Sequence, residues 1–348
     1  MEGLKQLLFD ISDSMSIAGF EYRTADKIRN ILIKYFDECR HTPNGNIVFV
    51  KKSKKPNAPL LLIDAHYDEI GMMVTEIKDN GFIRVTNIGG IDTRILLAGE
   101  VIIYGNEPVY GVVCAMPPHL QKPAESNTLP KIGDLLIDTG LSSDDLAKKG
   151  VETGTPIGFK PNNIELLNNC VAGKGYDNKS SLTAVAEIMR LIDGTDVGWD
   201  IYLLCSCKEE VSALGAKTGS YDIYPDAAIV LDVNLAYVPD TQRHKTVKVG
   251  GGPSVSISAI TDRTLTRAVI SFAEDNNLRH QTIVEAVDTG SDANHIPLTR
   301  DGIPTVLIGI PLKNMHTYSE VISLDDVTDT AKLIAEFIKG GLIKWMNG

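Results

Sequence analysis

His66 and Asp68, Asp177, Glu209 and Glu210, Asp232 and His316 are the residues of this 348-residue chain whose types and placement could do chemistry. His66-Tyr67-Asp68 follows the apolar run 60–63, and Lys208-Glu209-Glu210-Val211 follows 201–207. Asp232 follows 227–231, and His316 comes shortly after 304–310. Each run reads as a strand, and the carboxyl edge of an open α/β sheet is where ligands usually sit. Asp177 has a different setting, in Gly173-Lys174-Gly175-Tyr176-Asp177-Asn178. That is a glycine-loosened turn feeding a run of helical periodicity (Leu182, Val185, Ala186, Ile188, Met189, Ile192).

Imidazoles and carboxylates without a thiolate suit Zn, Co or Mn, and a carboxylate can bridge two ions. Five ligands serve two ions if Asp177 bridges, with His66 and Asp232 on one side and Glu210 and His316 on the other. Ions about 3.5–4 Å apart can hold a hydroxide as nucleophile and polarise a carbonyl together. Adjacent Glu209 and Glu210 would point to opposite faces of a regular strand, a limit that lapses where the strand breaks into a turn. Glu210 then ligates, while Glu209 takes a proton from the bridging water and returns it to a leaving amine. Asp68 is placed to hydrogen-bond the His66 imidazole and fix its tautomer. Singly, each residue has an ordinary explanation: Asp177 or Asn178 as a helix cap, Asp232 as another, Glu-Glu as a solvated turn. Their joint placement is what argues for a site.

The elements that position them follow from periodicity. Residues 3–16 and 23–39 read as amphipathic helices, the second with Ile28, Ile31, Leu32, Tyr35 and Phe36 in one stripe. Runs 46–50 and 60–63 read as strands, the latter apolar throughout, as expected when both sheet faces are covered. From about 72 to 161, short strand-like runs (83–88, 101–104, 110–115, 135–138) alternate with Gly, Pro and Asn/Asp turns, with one short helix near 143–149. That texture predicts an inserted all-β domain, a small antiparallel barrel or sandwich. Beyond 161 the reading is helix 179–192, strands 200–207 and 227–233, helix 263–276, strands 281–286 and 304–310, and helix 325–345. The expected fold is α/β: a three-layer αβα catalytic domain (1–71 and 162–348) with a mostly parallel sheet, interrupted by the insert 72–161.

Composition sets outer limits. Hydrophobic residues at 43% and charged residues at 23% are ordinary for a globular enzyme. A formal charge of -11 argues against nucleic acid or an anionic membrane as partner. Lys51-Lys52-Ser53-Lys54-Lys55 reads as a solvated loop. No leader pattern opens the chain, and no apolar run approaches the roughly 20 residues of a membrane span. Five cysteines without a C-x-x-C pair, two of them in an apolar strand, point to the cytoplasm. His41, His244 and His280 lie in polar loops; His119, after Pro117-Pro118, and His295, near Asp292, are candidates for the rim of the site. Gly250-Gly251-Gly252-Pro253 reads as a tight turn into a strand, not a phosphate cradle. H-E-x-x-H, Walker and G-x-S-x-G sequences are absent.

Five motifs, 64–71 (Asp-Ala-His-Tyr-Asp-Glu-Ile-Gly), Asp177-Asn178, Glu209-Glu210-Val211, Thr289-Gly290-Ser291-Asp292 and Ile310-Pro311 followed by His316, occur in the order and approximate spacing of a known family. The chain resembles the tetrahedral (TET) aminopeptidases, the glutamyl and deblocking group, some members of which carry an endoglucanase label. The likeness covers nearly the whole chain. It implies a dinuclear metallo-aminopeptidase with His66, Asp177, Glu210, Asp232 and His316 as ligands. Glu209 is the implied general base and Asp68 its supporting catalytic residue. It also implies two divalent ions per subunit, Zn or Co, a PDZ-like insert used in assembly, peptide substrates and a homododecamer. Ser212, Lys179 and the segment 313–317 depart from the usual pattern, the last beside the site. Two rival functions run against the residues. An endo-acting glycoside hydrolase needs two carboxylates and no imidazole. A non-catalytic metal-dependent peptide-binding or assembly protein needs ligands but no base.

Overall fold

Leu61 and Ile63 turn to one face of strand β3 (Leu60–Asp64) and Leu62 to the other, and all three are fully buried. Strand alternation leaves no polar face when both sides are covered. That is the arrangement in the computed structural model, which describes residues 2–116, 119 and 129–347. Strand β3 lies between β12 (Asp200–Cys205) and β13 (Ala227–Leu235), both parallel to it, and β16 (Thr305–Lys313) runs parallel to β13. Antiparallel strands flank this centre. On one side are β1 (Glu38–His41) and β2 (Ile47–Lys51); on the other are β17 (Glu320–Ser323), β11 (Cys170–Gly173) and β10 (Ile164–Glu165). Strand β14 (Ser254–Ser258) branches off β16 and carries parallel β15 (Gln281–Glu285). The sheet is therefore mixed. Its centre has the expected parallel character, because connections there cross over the sheet, whereas hairpins and short returns suffice for the antiparallel flanks.

Helices α2 (Ala25–Leu32), α5 (Tyr176–Ile192), α8 (Arg263–Asp275), α9 (Leu324–Glu336) and α10 (Leu342–Asn347) share one apolar cluster with Leu61, Ile63, Ile229 and Ile308. Helix α7 (Leu214–Ile223) packs on the opposite face with Leu62, Leu204 and Val230. The three expected layers are present, with α1 (Glu2–Ser12) set against α5. The first two helices are shorter than periodicity predicts, the first ending at Ser12. The second ends in a 3-10 turn at Tyr35, and residues 38–41 form β1. There Thr42-Pro43-Asn44-Gly45 closes a hairpin onto β2, with the Gly45 amide donating to the Thr42 carbonyl at 3.0 Å. The C-terminal run breaks at a π-helical stretch, Phe337–Gly341, between α9 and α10.

The inserted segment closes into a barrel of six strands. These are β4 (Gly71–Ile77), β5 (Ile83–Ile88), β6 (Glu100–Tyr104), β7 (Pro108–Val113), β8 (Leu136–Asp138) and β9 (Pro156–Phe159). Met72, Val74, Val85, Ile103, Ile137 and Ile157 fill it. Of the sequence's two options, barrel or sandwich, the barrel is the one formed. Among its described residues the insert carries two short α-helices where one was expected, α3 (Thr93–Leu96), capped by the Asp92 side chain, and α4 (Ser143–Lys148). Tyr318, from the loop between β16 and β17, stacks on barrel residue Phe159 with ring centroids 4.2 Å apart. The barrel thus rests against the loop that carries His316.

Candidate metal centre

All the working side chains except Asp232 are delivered by breaks in regular elements. Strand β3 ends at Asp64, and the extended chain beyond it buries His66, only 2% exposed. After β12, Lys208 takes a left-handed conformation (φ 59°), so Glu209 and Glu210 open the single helical turn α6 (Glu209–Ser212). Both then face one site, as the lapse of strand alternation allows. Asp232, expected at a strand end, projects instead from inside β13, which runs on to Leu235, and is 6% exposed. His316, half-buried, also has positive φ (60°).

Asp177 is not a helix cap. The cap position of α5 is Gly175, and Asp177 and Asn178 have non-helical backbone angles inside its first turn. That turn is pinned from below. Lys174 Nζ lies 2.8 Å and Lys179 Nζ 2.9 Å from Glu69 Oε2, all three side chains being buried. A Cβ at Gly175 would stand 2.4 Å from Glu69 Oε2, so no larger residue fits there. Lys179, one of the positions noted above as departing from the resembled pattern, serves in this ion cluster, and burial lowers its pKa to about 7.

The seven side chains converge. His66 Nε2 is 3.2 Å from Asp177 Oδ1, 3.7 Å from Asp232 Oδ1 and 3.9 Å from Glu209 Oε2. His316 Nε2 is 3.3 Å from Asp177 Oδ2 and 3.2 Å from Glu210 Oε2. Two groups result, His66–Asp177–Asp232 and Asp177–Glu210–His316, each with donor atoms within 4.8 Å of one another. Asp177 belongs to both, offering one oxygen to each imidazole.

Burial makes this concentration of carboxylates costly. It is the leading cause that pushes Glu209 up to about 10 and Glu210 to about 7, and Asp232 moves the same way. Burial acts on Asp177 too, but hydrogen bonds from His316 and His66 outweigh it and hold that carboxyl below its ordinary range. Burial would lower both imidazoles. The acids around them win, raising His316 to about 11 and His66 well above its usual value. The cluster calls for positive charge at two points, and imidazole with carboxylate oxygen is a donor set that fits divalent cations.

Asp68 acts differently from the sequence expectation. The His66 Nδ1 partner is the Asp68 main-chain carbonyl, at 3.2 Å, while the nearer carboxylate oxygen is 3.7 Å away. The Asp68 carboxylate instead accepts the backbone N–H groups of Glu209 and Glu210, at 3.1 and 3.2 Å. An acceptor at the open N-terminus of a helical turn satisfies donors that have no partner within the turn.

Sequence reasoning missed two contributors. Glu320, 2% exposed, accepts the Asp177 N–H at 3.1 Å through Oε2 and the His316 N–H at 2.8 Å through Oε1. Gly90, from the barrel, places its carbonyl 3.0 Å from His316 Nδ1 and so fixes that ring. A single acid opening an apolar strand and a glycine in a turn carry no motif that could have flagged them. Of the rim candidates, His295 lines a groove beside Glu209, whereas His119 is exposed and is not among the residues lining the cleft. Pro117 and Pro118 lie outside the described residues. Over the cluster opens a cleft of about 750 Å³ walled by β13, β15 and the loop before His316.

The family model described as M42 glutamyl aminopeptidase matches residues 45–333. The lysyl aminopeptidase of Pyrococcus furiosus is 30% identical over 332 residues, 94% of each chain. The TET aminopeptidase from a marine-sediment Thaumarchaeota archaeon superposes with a TM-score of 0.93 at 26% identity, covering 99% of both chains. The TET1 peptidase of Pyrococcus horikoshii, described as assembling into a tetrahedron or an octahedral shell, gives 0.84 at 28% identity over 97% of this chain and 99% of its own. With most of its length matched and with the same fold, this chain is a peptidase that belongs to the M42 glutamyl aminopeptidase family.

Proposed function

We propose that the chain is a dinuclear metallo-aminopeptidase that removes N-terminal residues from peptides. The observation that carries the reading is the pair of His–carboxylate groups joined through Asp177. His66, Asp177 and Asp232 would hold one ion, and Asp177, Glu210 and His316 the other, with Zn or Co fitting the donors. Bound there, two divalent ions supply a polarised carbonyl and a water acidified toward neutral pH. Glu209 lies within 3.9 Å of His66 Nε2 and ligates nothing in this scheme. Its carboxylate takes the proton of the attacking water and returns it to the departing amide nitrogen. Burial raises Glu209 to about 10 in the metal-free site, which leaves it protonated at neutral pH; positive charge bound at the adjacent ligands would lower it into the range where its carboxylate can accept a proton. Asp68 works through the backbone, fixing the turn on which Glu209 and Glu210 stand.

Glu320 is a positioning residue in this scheme. Its two oxygens hold the amides of one shared and one unshared ligand, so Glu320→Ala should weaken divalent-ion binding by about 10–100-fold, the usual loss for a partner that orients ligands. Glu320→Gln keeps one acceptor and should fall between. Titration of the apo variants against a chelating dye reads this directly, and unchanged affinity would remove Glu320 from the scheme.

The segments 1–71 and 162–348 form the catalytic unit in this reading, and the barrel serves assembly and access. Relatives that build closed shells support self-association, with the dodecamer as the expected form. All five cysteines are free thiols, in keeping with a reducing cytoplasm. The deciding experiment is hydrolysis of aminoacyl-p-nitroanilides by chelator-stripped protein before and after Zn or Co is returned. Cleavage restored by metal is expected; folded, metal-loaded protein that cleaves none of them would overturn the reading.

A further inference from the structure

The family description and the relative from Pyrococcus furiosus name glutamyl and lysyl specificities, which are opposite charges at one subsite. The preference of this chain has to come from its own cleft. Along β15, Ile283 is buried and Glu285 half-buried, while Val284 between them is 70% exposed, so Ile283 and Glu285 share the inward face. Both line the cleft, together with Val233 and Met315. Glu285 Oε2 makes no hydrogen bond of ordinary geometry, and burial raises the carboxyl's pKa, partly offset by Ser256 and Asn234 beside it. Its polar neighbours, Asn234 and Ser256, are neutral, and Asp232 and Asp288 act on it with negative charge. A carboxylate in such a place is incomplete without a cation.

Position narrows what the cation is. Asp232 and Asn234 lie on the same face of β13, one strand repeat apart, about 6–7 Å. Glu285 borders Asn234 and so lies a strand repeat away from the metal ligands. The α-amine of a bound peptide is one carbon removed from the carbonyl under attack and stays at the ligands. A group that reaches Glu285 must stand on a longer stem. Lysine has a four-carbon stem that suits the apolar wall of Val233, Ile283 and Met315.

The opposing charge in the cleft is Lys245, on the 3-10 turn Arg243–Lys245. It is exposed, so its field is screened by water, whereas that of half-buried Glu285 is screened less. We propose that Glu285 receives the cationic side chain of the substrate's first residue, making this an aminopeptidase for peptides that begin with lysine or arginine. The inference rests on the aminopeptidase reading above.

The test compares kcat/KM for lysyl-, arginyl-, norleucyl- and glutamyl-p-nitroanilide with metal-loaded enzyme. Norleucine has the lysine stem without the charge. Lysine and arginine should exceed norleucine by about 10–100-fold, the worth of one charge-assisted hydrogen bond, with glutamate lowest. Glu285→Gln should collapse the lysine-to-norleucine ratio toward one, and Glu285→Lys should move the preference to glutamate. A wild-type enzyme that favours glutamate or norleucine, or a ratio unmoved in Glu285→Gln, would overturn the assignment. If the wild type cleaves none of the four, the peptidase chemistry fails and the subsite is decided by calorimetry. Lysinamide binding more tightly than norleucinamide, with the difference lost in Glu285→Gln, upholds it; equal binding overturns it.

Discussion

Glu209→Gln should reduce kcat on any cleavable aminoacyl substrate by about 10²–10⁴-fold, the usual contribution of a positioned acid–base group. The amide is isosteric with the carboxylate and cannot take a proton from water. The backbone of Glu209 is held independently, by its N–H bond to Asp68, so the turn and the neighbouring Glu210 should stay in place. Bound metal, measured by elemental analysis, should therefore match wild type, and KM should change far less than kcat. Turnover that survives would show that another group moves the proton. Loss of metal alongside turnover would make Glu209 a ligand instead.

Asp177→Asn should have the broadest effect on metal content. Asp177 supplies one oxygen to the His66 group and the other to the His316 group, so neutralising it weakens both at once. Asp232 belongs only to the first. Elemental analysis should find about two ions per chain in the wild type, as a two-metal site implies, and close to none in Asp177→Asn. Asp232→Asn should keep one. Circular dichroism guards against misfolding, since the helical contribution of α5 should be unchanged. Equal metal loss in the two variants would contradict a shared ligand.

How much of this could be read from the sequence depended on how each residue acts. The ligand candidates were legible because they act through side-chain chemistry at or near recognisable strand ends: His66 after the fully apolar β3, Asp232 in the last half of β13, Glu210 after β12. The barrel was legible from its short runs and turn residues, although β4 and β9 escaped notice. What stayed hidden acts through the backbone or through distant pairing. The Asp68 carboxylate and Glu320 work by accepting amide protons, which any local sequence can donate. Gly90 offers only a carbonyl, from a domain that the sequence sets apart from the site. Glu285 alternates with exposed residues and reads like any solvent-facing position until β15 is seen to wall the cleft. Residues 38 and 39 kept enough helical periodicity to be read into the second helix, which masked the edge strand 38–41, whose formation depends on pairing with β2 rather than on its own composition.

Two buried carboxylates outside the ligand set hold four amides of the working residues: Asp68 those of Glu209 and Glu210, Glu320 those of Asp177 and His316. None of these four amides lies in a strand ladder, and the first turns of α5 and α6 offer them no helical acceptor. Left to water, such protons trade with solvent quickly; tied to a buried anion, they trade only when the anion lets go. The centre therefore carries its own isotopic clock. Deuterium uptake at these four sites marks how often the scaffold opens, and it can be followed without substrate or catalysis.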